Sequence, residues 1–180
     1  MESKYIALIR GINVGRAKRV AMADLRALVE ALGCSDVRTL LNSGNIVFTA
    51  PSDYAENFAA RIEEALSERL GVFAKVIVLT AAELAMVVED NPLGEVASDS
   101  SRLLVAFLGN PEDRTRLVPL LEQDWKSEVL ALGVRVAYLW CPDGVLASRL
   151  VKAVGRVLGD TTTTRNWATV MKIRGLLPQT

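Results

Sequence analysis

The chain has 180 residues, 51% of them hydrophobic, and its 21 Lys and Arg are balanced by 21 Asp and Glu. That length holds one large domain or two small ones sharing a core. The apolar fraction calls for packing rather than disorder, and zero net charge argues against a strongly basic nucleic-acid binder while leaving room for a local cationic patch. Histidine is absent, which removes Ser-His-Asp and Cys-His catalysis and histidine-ligated zinc.

Met1-Glu2-Ser3-Lys4 leads straight into Tyr5-Ile6-Ala7-Leu8-Ile9, a buried-strand run with no sign of a secretory leader. The strand gives way to Arg10-Gly11-Ile12-Asn13-Val14-Gly15-Arg16-Ala17-Lys18-Arg19, and Val20 to Leu32 then has the period of an amphipathic helix closed by Gly33. Val37 to Leu41 reads as a strand, Asn42-Ser43-Gly44-Asn45 as a tight turn, and Ile46 to Thr49 as the antiparallel return. After Pro51-Ser52-Asp53, apolar Phe58, Ile62, Leu66 and Leu70 mark a helix over Tyr54 to Leu70, ended by Gly71. Phe73 to Leu79 reads as a fourth strand. Thr80 is placed to cap a helix over Ala81 to Glu89, which Asn91-Pro92 stops.

The second half repeats the series. Leu103 to Leu108 is a strand; Pro111 to about Trp125 is a helix that Pro119 should kink or split. Glu128 to Leu132 and Val134 to Trp140 form a hairpin around Gly133, Val145 to Leu158 a helix, and Thr161 to Thr164 a short β-branched strand. Asn166 or Trp167 opens a last helix to about Leu177. Landmarks recur at similar offsets, Pro51 with Pro142 and Gly71 with Gly159. The reading is an α+β protein of two tandem ferredoxin-like (β-α-β-β-α-β) units, each with an antiparallel four-stranded sheet and an extra helix. The halves are 1–95 and 96–180, joined through the Ser-, Asp- and Gly-containing stretch Asn91–Ser101.

The loop from Gly11 to Gly15 is neither a dinucleotide fingerprint, since Asn13 occupies the second glycine position, nor a Walker loop. It is either a tight strand-to-helix turn with solvated cations or an anion cradle in which Arg10 and Arg16 face a ligand. In a ferredoxin-like unit the first two strands are parallel, so this loop and the Asn42–Asn45 turn share one end of the sheet. Asn13, Ser43 and Asn45 then stand beside Arg10 and Arg16, a cluster suited to phosphate or carboxylate. Arg165-Asn166-Trp167 is either a helix start, with Asn166 as cap and Trp167 in the core, or an anion-pairing arginine beside a stacking face. A pseudo-two-fold relation between halves would bring Arg165 toward the Arg10 loop. Asp36, Asp53, Asp143 and Asp160 read as capping groups rather than a catalytic pair, and Trp125 and Trp140 as core. Cys34 and Cys141 have neither metal nor redox spacing and are expected as unlinked thiols of a reduced cytosol.

Three stretches, Leu8-Ile9-Arg10-Gly11-Ile12-Asn13-Val14-Gly15, Val37-Arg38-Thr39 through Asn42-Ser43-Gly44-Asn45-Ile46-Val47-Phe48, and Thr164-Arg165-Asn166-Trp167-Ala168-Thr169-Val170, together resemble the bacterial domain of unknown function 1697 family. The resemblance spans nearly the whole chain, with departures at Arg16, Leu40 and Ala168. It implies paired ferredoxin-like domains and assigns no biochemical role. The expectation is a cytoplasmic protein with no cofactor, no metal and no membrane partner, binding an anionic small molecule. The alternatives are a nucleic-acid-binding module or an enzyme on an anionic substrate that uses Arg, Ser and Asn in place of histidine.

Overall fold

In the computed structural model, residues 1–52 and 57–178 are described. The chain divides into two compact units, Met1–Leu84 with Ile173–Thr180, and Ala85–Lys172. It passes from one to the other within one helix and returns within another.

The first unit runs β1 (Glu2–Ile9), α1 (Met22–Ala31), β2 (Ser35–Leu40), β3 (Asn45–Pro51), α2 (Phe58–Leu70) and β4 (Val76–Thr80), followed by α3 (Ala81–Glu89). Its sheet has the order β2-β3-β1-β4 with every neighbour antiparallel. The first strand is therefore central: Tyr5 lies opposite Phe48 on one side and Thr80 on the other. Period-two alternation sends Tyr5, Ala7, Ile9, Ile46, Phe48 and Ala50 to the face covered by α1 and α2, where they pack with Leu25, Val29, Phe58, Ile62 and Leu66. Tyr5, Phe48 and Phe58 form an aromatic cluster with ring centroids 5.3 to 5.8 Å apart. The opposite face carries Ile6, Leu8, Val47, Ile77 and Leu79, all buried as well. Burial on both faces is why β1 reads as an unbroken apolar run.

The second unit runs β5 (Leu103–Leu108), α4 (Arg114–Leu117) between two 3-10 turns, β6 (Val129–Leu132), β7 (Val136–Trp140), α5 (Arg149–Leu158), β8 (Thr162–Asn166) and α6 (Trp167–Gly175). Its sheet order, β6-β7-β5-β8, repeats that of the first. Leu104, Ala106, Leu108, Ala137 and Leu139 pack with Leu117, Leu150, Val154 and Leu158. Pro119 has the expected effect: Pro111 to Glu122 is three short helical pieces, because proline supplies no N–H and crowds the preceding turn.

Several expected boundaries move. The fourth strand starts at Val76, not Phe73: Gly71 (φ 64°) and Val72 close α2 by donating to the carbonyls of Ser67 and Leu66, and Phe73 is left exposed. Helix α5 starts at Arg149, not Val145. Ser148 is its cap, its Oγ accepting from Val151 N at 2.9 Å, while the Glu128 carboxylate accepts from the N–H groups of Arg149 and Leu150. Two N-terminal amides that the helix itself leaves unpaired are satisfied in this way. Asp36 and Asp143 do not cap helices: Asp36, at φ 49° where β2 shifts register, pairs with Lys4 at 3.5 Å, and Asp143 sits in a turn and accepts from Ser127 Oγ. Asp160 lies in the 3-10 turn Gly159–Thr161. Asp53 lies outside the described residues, as does the Tyr54 start expected for α2. Trp140 is buried, whereas Trp125 is half-buried, its Nε1 donating to Leu120 O.

Candidate functional site

The end of the first sheet where β1 finishes gathers three loops. Ile9 lies opposite Val76, and Asn45 opposite both Leu8 and Leu40, so residues 10–21, 41–44 and 71–75 all leave from the same end. Backbone bonds sew them together: Ile9 N donates to Gly44 O and Arg10 N to Lys75 O, each at 2.8 Å.

Within the first loop φ is positive at Gly11 (68°), Asn13 (55°) and Gly15 (62°), and again at Lys18 (49°). Glycine meets this demand without strain, and asparagine is among the side-chain-bearing residues that tolerate it best. Asn13 does more than tolerate it. Its Nδ2 donates to Val20 O (2.9 Å) and Asn42 O (2.8 Å), its Oδ1 accepts from Val20 N (2.9 Å), and its own N–H donates to Lys18 O. One side chain thus closes the loop on itself and ties it to the β2–β3 turn. Asn45 has the same character. It is buried, and its Nδ2 donates to Leu40 O and Ser43 Oγ, both at 2.9 Å. Gly44 is required twice over, by φ 81° and because a Cβ there would lie 2.9 Å from Ile9 and Ile12.

The structure therefore places Arg10, Gly11, Asn13, Gly15, Arg16, Ser43 and Asn45 at one end of one sheet. Gly11, Gly15, Arg16, Lys18, Arg19 and Ser43 are exposed, Arg10 and Asn13 are half-buried, and the Asn13 and Asn45 amides are turned to the backbone. Three features of this end escaped sequence reading: Phe73, Val14 and Leu41 stand exposed on it, at 74%, 69% and 48%. The glycine stop at Gly71 was the available signal for Phe73.

Arg165, Asn166 and Trp167 belong to the second unit. Arg165 lies within β8, opposite Val105, is 8% exposed, and donates to Thr163 Oγ1 and Thr164 O at 2.9 Å. Burial lowers its pKa to about 10. Asn166 caps α6, its Oδ1 accepting from Thr169 N at 2.9 Å, and Trp167 is half-buried.

The second unit also holds a cleft of about 290 Å³ lined by Trp125, Lys126, Glu128, Cys141, Ser148 and Arg149 among others. Its anion-attracting feature, the N-terminus of α5, already holds the Glu128 carboxylate, and Ser148 Oγ donates to the same group. The Cys141 thiol is pushed up, first by burial and also by Glu128, with the Ser148 contact opposing, so it is no ready nucleophile. Among the described residues no group of His, Cys, Asp or Glu is arranged to hold a metal ion, and no helix is long and apolar enough to cross a membrane.

The sequence profile of a family described as "Protein of unknown function (DUF1697)" matches residues 2–138. The chain is similar to a solved structure of the conserved bacterial protein SP0830 from Streptococcus pneumoniae, at 26% identity and a TM-score of 0.82. The match covers 99% of this chain and 100% of the other. No curated protein matches.

Proposed function

The chain belongs to the DUF1697 family of proteins of unknown function, and from that premise we propose that it is a binding protein for a phosphate- or carboxylate-bearing ligand, seated at the Arg10–Gly15 loop. One observation carries the reading: positive φ recurs at Gly11, Asn13 and Gly15 in a loop that holds Arg10, Arg16, Lys18 and Arg19 and no acid. Alternating backbone handedness turns N–H groups of a loop toward one side, the arrangement that receives anions; the Asn13 N–H is itself taken by Lys18 O, which leaves the flanking amides for a ligand. Asn13 and Asn45 keep the frame, while Arg10, Arg16 and Ser43 supply charge and a hydroxyl. Arg165, Asn166 and Trp167 enter only as a polar and aromatic junction within the second unit, Asn166 as the cap of α6. The shared strand order of the two sheets supports reading the whole as tandem ferredoxin-like units, halves 1–95 and 96–180 of a duplication.

The test is calorimetric titration of inorganic phosphate into the wild type and Arg10→Ala. A charge-assisted arginine bond contributes about 1.5–3 kcal/mol, so the variant should bind roughly tenfold to a hundredfold more weakly. Its unfolding midpoint without ligand should stay close to wild type. Phosphate heats unchanged by the substitution, or a protein that no longer folds, would assign Arg10 to the framework instead.

A further inference from the structure

The three loops at this sheet end carry five of the chain's 21 Lys and Arg, namely Arg10, Arg16, Lys18, Arg19 and Lys75, and none of its 21 Asp and Glu. In a chain of zero net charge this is a pronounced local excess. The neighbouring acid, Glu63, engages Lys75 at 3.3 Å; among the described residues Arg16, Lys18 and Arg19 form no ion pair. The same loops carry three apolar side chains facing water. Among the described residues, the large hydrophobics that the first unit leaves exposed are Met1, at the chain start, and Val14, Leu41 and Phe73, all here, one per loop. The backbone bonds from Arg10 to Lys75 and from Ile9 to Gly44, with the Asn13 bridge to Asn42, hold the three tips in fixed relation.

We infer that this end is a docking surface for an anionic lipid bilayer, in which Val14, Leu41 and Phe73 enter the interface while the surrounding cations pair with headgroup phosphates. The inference rests on the same loop as the phosphate reading and names the source of the phosphate. Charge complementarity selects an anionic partner, and the apolar tips select among anionic partners. Single-stranded nucleic acid is gripped by aromatic platforms along a basic groove, and these loops offer one aromatic and two aliphatic tips. Aliphatic tips ringed by cations match the headgroup–acyl boundary, where binding grows with buried apolar area and with attraction to anionic lipid. Among the described residues no helix is long and apolar enough to cross a membrane, and surface docking needs none.

The experiment is sedimentation of the full chain with vesicles of phosphatidylcholine alone and with 30 mol% phosphatidylglycerol added, beside titrations of inorganic phosphate and a single-stranded 20-mer of DNA. The protein should pellet with the anionic vesicles at least tenfold more strongly than with the neutral ones, since each cation near such a surface contributes roughly fivefold. Leu41→Ser with Phe73→Ser should weaken that binding about tenfold or more. It should leave circular dichroism and phosphate binding unchanged, because both side chains are exposed and neither belongs to the Arg10–Gly15 loop. Leu146→Ser, at an exposed apolar residue of the second unit, should change nothing. No pelleting, equal pelleting with neutral vesicles, or loss upon Leu146→Ser equal to that of the double variant would overturn the inference. Tighter binding to the oligonucleotide than to anionic vesicles would overturn it too, in favour of nucleic acid. Phosphate binding without vesicle binding would leave the ligand reading standing and remove this one. Vesicle binding without free-phosphate binding would do the reverse.

Discussion

Asn13 shows how one polar residue sets the geometry of a loop. Its three side-chain bonds join the start of the loop to its end and to the neighbouring turn, from a backbone conformation that most residues resist. Asn13→Ala loses all three and keeps the unfavourable φ. At about 1 kcal/mol per neutral hydrogen bond and a further 1–2 kcal/mol for alanine in the left-handed region, the expected cost is roughly 4–5 kcal/mol. Urea unfolding measures it. Asn13→Asp, which keeps the acceptor for Val20 N and loses both donors, should fall between; an alanine variant as stable as wild type would mean the loop closes without the amide. The sequence offers Asn13 as a ligand-facing group beside Arg10, and its place at that sheet end follows from strand order. Its commitment to the backbone does not, since the partners Val20 and Asn42 are set by where the chain returns. Arg165 is a similar case: composition makes it a surface cation, and only the fold encloses it in β8.

At the scale of elements, the start of α3 is reciprocally capped. Thr80 Oγ1 accepts from Glu83 N at 3.1 Å, and the Glu83 carboxylate accepts from Thr80 N at 2.8 Å. Each satisfies an amide the helix cannot, and the carboxylate also lies at the favourable end of the helix dipole. Glu83→Ala should cost about 1 kcal/mol by chemical denaturation, Glu83→Gln appreciably less because the capping geometry survives. The far end of the helix is closed from a distance: the buried Tyr138 hydroxyl donates to Val87 O at 2.8 Å, taking up one of the last-turn carbonyls. The first cap is legible as Thr-x-x-Glu before an apolar run, while the second joins residues 51 positions apart and no local pattern announces it. The same contrast explains the misplaced start of α5. Apolar residues from Val145 onward resemble a continuing helix, yet Glu128, far back in the chain, and Ser148 together define where its amides begin to need partners.

Across the whole molecule, burial acts on several acids in one direction. Cys34 and Cys141 are unlinked and buried, and burial raises both thiols, for Cys34 against the pull of Arg61. Burial and Asp90 raise Tyr138 to about 12. In each case the folded state keeps a proton that the unfolded chain gives up, so the stabilisation is present below the unfolded pKa and is lost as pH rises through the folded one. The thiols act first, from about pH 8.5 upward, and the tyrosine between about 10 and 12. Arg165, lowered to about 10, works in the opposite sense from there upward, because the unfolded chain holds its proton longer. The urea midpoint should therefore fall between pH 8 and 10, and Cys34→Ala with Cys141→Ala should flatten that fall. A wild-type midpoint that is constant or rising over this range would contradict the assignment. Labelling by a thiol reagent at pH 8 should likewise be slow in the native protein and fast in denaturant.

The element sequence was determined locally. Unbroken apolar runs, glycine and asparagine stops, and the 3.6-residue period of α2 sufficed to place eight strands and most helices, because each signal lies within one element. Two antiparallel four-stranded sheets follow from that order, since a strand buried on both faces must find partners on both edges. Tertiary structure alone decided which polar side chains face inward. Asn13, Asn45 and Arg165 carry the same groups in any loop or strand. Whether an amide or guanidinium meets water or a backbone carbonyl depends on which distant segment the fold lays beside it. The exposed tips Val14, Leu41 and Phe73 are the converse case, apolar residues that composition assigns to a core and that the common end of three loops leaves in solvent.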